Sequence, residues 1–196
     1  MQITLNFLRK QNACQSGINK FMKIFGKSAE LKDIINYSIK SKDKSNLQDC
    51  NWLIVRKMTH KQKIQYAIYA LEQVIKIFEN KYPDDKRLRQ VIQAVKKVLK
   101  ENNIQNRNAV NVAAAATDAA TDKAAAADVA HAATYATYVA RVATYAAVYA
   151  AVYAAVYATD AVVYATDAAV WIQMEIKILK YGLKIMYKWN LAGNRL

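Results

Sequence analysis

Residues that interrupt a helix are scarce in this chain of 196, which has one proline and four glycines. That scarcity argues against a strand-and-turn architecture, whose hairpins depend on such residues. Two cysteines, Cys14 and Cys50, are too few for a disulfide framework, so a reducing, cytoplasmic setting is expected. Together with His60 and His131 they make four potential zinc ligands. Their separations of 36, 10 and 71 residues fit no spacing that a loop or helical turn creates. Neither a metal site nor a cofactor is expected.

Catalytic signatures are missing too. No Ser/His/Asp or Cys/His set carries a recognisable local motif, and no glycine loop could cradle a phosphate. A non-enzymatic protein is therefore expected. Specific nucleic-acid motifs are absent, so charge alone would support only non-specific binding. The opening "MQITLNFLRKQNAC" has its charges at 9 and 10 and no long apolar stretch after them, unlike a secretory leader. Val142 to Thr159 is a run of 18 uncharged residues. It lacks Leu, Ile and Phe, and its tyrosines are spread along it instead of gathering at two interfaces, so no membrane span is expected.

What remains is apolar and basic. Hydrophobic residues make up 54% of the chain and the formal charge is +14, unevenly placed. Residues 1–107 hold 22 of the 29 Lys/Arg and 9 of the 15 acids; residues 108–196 are nearly neutral and rich in alanine. The expected architecture is all-α, a multi-helix array. A basic helical region at 1–107 packs, in one compact unit, on an alanine- and tyrosine-rich bundle at 108–196. The charge of the first part suits either an anionic partner or a solvated basic surface.

The first part reads as successive amphipathic helices. "GINKFMKIFG" places Ile18, Phe21, Met22 and Phe25 on one stripe and stops at Gly26. "SAELKDIINYSIK" follows, with Ser28 as cap and Leu31, Ile34, Ile35 and Ile39 facing inward. "SNLQDCNWLIVRKM" offers Leu47, Cys50, Leu53 and either Ile54 or Trp52. In "THKQKIQYAIYALEQVIKIFENKYP", Thr59 and Gln62 form a capping box, and Ile64, Ala67, Ile68, Leu71, Val74, Ile75 and Phe78 form one face. Pro83 stops it. "DDKRLRQVIQAVKKVLKENN" starts on Asp84 and Asp85 and ends with Lys96, Lys97 and Lys100, matching acids and bases to the helix dipole.

The second part must fold back on itself. As one helix, Ala109 to Lys188 would run about 120 Å, against a radius of gyration of about 16 Å for a compact chain of this size. The Thr-Asp pairs at 117–118, 121–122, 159–160 and 166–167 are the available breaks. Within "TYAAVYAAVYAAVYATD", Tyr145, Tyr149, Tyr153 and Tyr157 each advance 40° and sweep one broad helix face. Such a face can be packed core or the wall of a site.

Several residues are candidates for binding. Arg141 lies one turn from Tyr138 and Tyr145, where its guanidinium can stack on a ring. His131 shares that helix face. Arg87 and Arg89, with Lys86, open a helix where an anion could meet both guanidinium groups and backbone N–H groups; a salt-bridged cap is the alternative. Trp52 and Arg56, four residues apart, form a second aromatic–cation pair.

In order along the chain, "ACQSGINKF", "NWL", "FENKYPDDKRLRQVIQAVKKVL", the Ala/Tyr/Asp/Thr tract and "WIQMEIKILKYGL" resemble the putative immunity proteins. That family was described from polymorphic toxin systems and also occurs in phage genomes. The resemblance spans residues 13 to about 183. It implies an all-helical, non-enzymatic protein that neutralises something by binding it, with Asp84, Arg87, Arg89 and Trp52 matching family positions. The family usually has a proline between the two arginines, where Leu88 stands here. Two functions follow as expectations. The favoured one is a phage-encoded anti-defence sponge that sequesters an anionic nucleotide immune signal in the host cytoplasm. The alternative is an immunity protein that inhibits an acidic protein toxin. Nothing in the sequence forbids a homo-oligomer.

Overall fold

The computed structural model describes residues 1–81, 83–84, 86–110, 112 and 168–193. They form an all-α protein with one small antiparallel ribbon. The chain divides into two compact units, Met1–Lys57 and Met58–Leu196. Compositionally the break falls at 107/108; the compact units part at 57/58.

Unit one opens with β1 (Gln2–Thr4), whose Ile3 is fully buried between the more exposed Gln2 and Thr4. This strand pairs with β2 (Ser28–Glu30), Ile3 opposite Ala29. Thr4 then turns from strand to cap, its Oγ1 accepting the Phe7 N–H at 3.1 Å to start α1 (Leu5–Lys10). Arg9 and Lys10 lie in its last turn, where the helix end is negative.

Helix α2 (Gln15–Phe25) buries Ile18 and Phe21 and ends at Gly26, whose φ of +73° is open to glycine without strain. The sequence stripe also included Met22, but Met22 is 47% exposed. Ser28 does not cap the next helix as expected. It sits in β2, and α3 (Leu31–Ser41) follows Glu30, because the ribbon's pairing takes the backbone that a cap would use. Leu31, Ile34 and Ile35 are buried as expected, while Ile39 is half-buried and Ser38 takes the inner position. Lys42 closes α3 in the left-handed region at φ 53°.

Helix α4 (Lys44–Lys57) buries Leu47, Cys50, Leu53, Ile54 and Val55. Trp52 is half-buried, so Ile54 is the inward residue. The Cys50 Sγ donates to Ser38 Oγ at 3.0 Å, which joins α3 to α4.

Unit two begins with the expected capping box. Thr59 N donates to Gln62 Oε1 at 2.8 Å, and Gln62 N donates to Thr59 Oγ1 at 3.3 Å. Helix α5 (His60–Lys81) follows and ends ahead of Pro83. Its buried face holds Ile64, Ala67, Ile68, Leu71 and Ile75, widened by Tyr66 and Ala70. The Val74 and Phe78 side chains lie outside the described residues.

Helix α6 (Arg87–Lys100) buries Val91, Ile92, Val95 and Val98 along one stripe and ends with Lys97 and Lys100. It starts three residues later than Asp84, with no acid in its first turn. The reason is local: the turn after Pro83 occupies 83–84 and Lys86 takes the cap position. Helix α7 (Ala168–Gly193) runs through Gly182 without a break. Helix α5 packs against both α6 and α7. Gln62 Nε2 donates to the Ile185 carbonyl at 3.2 Å, tying the start of α5 to α7. Among the described residues no helix is long and apolar enough to cross a membrane. The tract with the tyrosine repeat, and with it the expected fold-back, lies outside the described residues.

Candidate functional site

The reversal between α5 and α6 brings charged side chains of the two helices together. Pro83 cannot continue α5, so the chain turns and α6 returns alongside it. Glu79, four residues before the proline, thereby comes to face Arg89, six residues after it. Arg89 Nε donates to Glu79 Oε1 at 2.8 Å and Nη2 to Oε2 at 2.5 Å. This bidentate hydrogen bond holds the Glu79 carboxyl below its ordinary value and raises the arginine further. Lys86 Nζ donates to the Pro83 carbonyl, closing the turn. The helix start thus takes the salt-bridged form, with Arg89 engaged by the protein's own carboxylate. Asp84 is exposed; Arg87 opens α6, and its side chain lies outside the described residues.

Further along the same helices, Lys96 Nζ meets Glu72 Oε1 at 2.5 Å. Beside them Tyr69 of α5 and Tyr181 of α7 stack face to face, ring centroids 3.9 Å apart and planes 7° from parallel. Burial pushes the Tyr181 hydroxyl up, and the neighbouring Glu72 and Tyr69 push it the same way. The sequence does not announce this cluster, because its members come from three different helices and share no local motif. Glu79 was findable: a proline-centred reversal brings residues near it on either side into register.

Unit one holds two aromatic–cation pairs. The Arg56 guanidinium lies 3.6 Å from the Trp52 ring centroid, and its Nη1 donates to the Trp52 carbonyl at 3.1 Å. Lys57 Nζ lies over the Phe7 ring at 3.7 Å. These pairs lock the end of α4, and the Trp52 ring face is covered by its own helix's cation. His131, Tyr138, Arg141 and Tyr145 lie outside the described residues. The described structure therefore brings together Trp52 with Arg56, and Arg89 with Glu79. Among the described residues no group of three or more His, Cys, Asp or Glu could hold a metal ion.

Comparison with protein families decides the relationship. Residues 53–181 match the model of the Imm-5 like putative immunity protein family. The chain belongs to this family. The match starts inside α4, takes in α5 and α6, and ends at Tyr181 in α7. The immunity-family region thus contains Arg56, Arg87 and Arg89 but begins one residue after Trp52. The family model does not reach the "ACQSGINKF" portion of the resemblance. No curated protein and no solved structure matches the chain.

Proposed function

We propose that this immunity-family protein neutralises a toxic protein by binding it and blocking its action, without catalysis, in the cytoplasm of the cell it protects. The match to an immunity family over residues 53–181 carries this reading. Charge indicates the partner's character: 22 of the 29 Lys/Arg fall in residues 1–107, so an acidic partner surface is the complementary one. The state of the arginines favours a protein over a small anion. Arg89 is held bidentately by Glu79, so a phosphate at that guanidinium would compete with the protein's own carboxylate.

A second reading is favoured by a different observation. Tyr138 and Tyr145 stand three residues before and four residues after Arg141 in the sequence, a spacing that on a helix would suit stacking on a base and pairing with a phosphate. In that reading the chain is a phage-encoded sponge that withholds a nucleotide immune signal, with Arg87 as a further cation.

One experiment separates the two. The purified protein is tested for a complex with toxin-domain proteins encoded beside its gene, and for release of nucleotides from a cyclic and ADP-ribose-type panel after denaturation. The toxin reading expects a complex that weakens with salt and restores growth on co-expression. A recovered nucleotide lost in Arg141→Ala and Arg87→Ala, with no toxin bound, would replace it by the sponge.

A further inference from the structure

Outside the family-matched region, unit one leaves part of its apolar surface uncovered. Met22 of α2 is 47% exposed and Tyr37 of α3 is 42% exposed. Phe25, the last residue of α2, has its ring 5.4 Å from Tyr37 of α3 and edge-on to it at 80°. It also lies 5.4 Å from the buried Phe21, so the patch has an aromatic floor continuous with the core. Ile104 and Val112 are the other large exposed apolar residues among those described.

The setting of the patch is basic. Along residues 18–42, Lys23, Lys27, Lys32, Lys40 and Lys42 are exposed, against the acids Glu30 and Asp33. Glu30 is paired with the amino group of Met1, and Lys20 with Asp49 of α4 at 3.0 Å. Tyr37 has Asp33 one turn before it and Lys40 one turn after. Residues 1–57 as a whole carry eleven Lys/Arg and four Asp/Glu, a net charge of +7. Methionine and tyrosine over a packed floor, inside a polar rim, is the composition of an interface core. Like charge disfavours a second copy of this chain here, and opposite charge favours an acidic partner.

We infer that the Met22–Phe25–Tyr37 surface docks a protein segment carrying an apolar anchor side chain among acidic residues. The inference rests on the reading of the chain as a binder of an acidic protein, and it places the grip on the part of unit one that precedes the family match at residue 53. Unit one then supplies partner choice, while the region shared with the family lies in 53–181.

The test uses the full-length protein and fluorescence anisotropy. The probe is a labelled amphipathic peptide of glutamate, leucine and tryptophan. Its counterparts are the same peptide with lysine for glutamate and a glutamate–serine peptide with no apolar residue. The acidic amphipathic peptide should bind, more weakly as salt rises, and the two counterparts should not. Met22→Glu and Tyr37→Ser should each weaken it by about tenfold or more. Ile104→Ser should leave it unchanged, and circular dichroism should show the same helix content throughout. Equal binding by both patch variants, or by the lysine peptide, overturns the inference. So does a Met22-dependent dimer in ultracentrifugation, or Met22-dependent binding to phosphatidylglycerol vesicles in place of the peptide. A toxin that binds Met22→Glu and Tyr37→Ser as well as wild type removes the patch and leaves the immunity reading intact. Peptide binding without protection from any toxin does the reverse.

Discussion

Arg89 holds Glu79 at two points, through Nε at 2.8 Å and Nη2 at 2.5 Å, so the beginning of α6 is clamped to the end of α5. The planar guanidinium matches both carboxylate oxygens at once, a geometry lysine cannot reproduce. An arginine that sequence pattern offers to an outside anion is thus committed inside the molecule.

The clamp has a pH signature. The Glu79 carboxyl is lowered first by the hydrogen bond from Arg89, with burial opposing and the Arg89 and Lys86 charges assisting. A carboxyl lowered on folding stabilises the protein above its ordinary value and stops doing so as pH falls through the folded one. Glu79→Gln should therefore be less stable than wild type near neutrality, by a small margin because Arg89 is exposed. That margin should close as the pH drops below 4.5, the carboxyl's ordinary value. Urea denaturation of both proteins across that range checks it. The same variant releases Arg89 and should bind inorganic pyrophosphate more tightly in calorimetric titration.

Gln62 does two jobs at the head of α5, accepting from Thr59 N and donating to the Ile185 carbonyl while only 5% exposed. Gln62→Ala should cost about 1–3 kcal/mol, since both a cap and a buried hydrogen bond are lost. Thr59→Ala should cost about 1 kcal/mol, losing only the cap. Gln62→Glu should be the worst near neutral pH, because it places a carboxylate against a carbonyl oxygen. Chemical denaturation ranks the three.

His60, the first residue of α5, has a buried Nδ1 with no hydrogen-bond partner. Burial lowers its pKa from 6.5, and the Lys63 charge lowers it further. The unfolded chain then takes up a proton that the folded chain resists, so stability falls as pH drops through the unfolded value. Melting temperatures between about pH 8 and about pH 5 should show this decline in wild type, and His60→Gln should flatten it.

Lys42 ends α3 with φ at 53°, a conformation that a side chain resists and glycine does not. Lys42→Gly should raise stability by about 0.5–1 kcal/mol in urea denaturation. A loss of stability would mean that the lysine's charge at the helix end matters more than its backbone strain.

Sequence made the helices of these units legible where period and punctuation agreed. The capping box at Thr59 and Gln62 and the stop at Pro83 rest on interactions within a few residues, and helical spacing marked Leu31, Ile34 and Ile35 of α3 and Ile64, Ala67, Ile68, Leu71 and Ile75 of α5 as inward. What escaped is non-local. The ribbon pairs Ile3 with Ala29, and a three-residue strand has too little pattern to announce itself. Once the ribbon claims Ser28, the expected cap is lost. Met22 satisfied helical spacing, yet exposure depends on what lies opposite, which spacing does not encode. Of the candidate site, the local Trp52–Arg56 stack was legible because four residues make one helical turn. Arg89's engagement was not, since it needs the path of the chain around Pro83.

Unit one also contains its own chemical timer. Cys14 is exposed at the head of α2. Its pKa is lowered by the Ser16 hydroxyl at 3.2 Å and the Gly17 N–H, against small opposing effects of burial and Asp49. Cys50 is buried, with its thiol on Ser38. A maleimide will therefore modify Cys14 at once and reach Cys50 only through openings of α3 from α4. The rate of the second addition measures how often unit one opens in the intact protein, and a ligand seated on that unit will slow it.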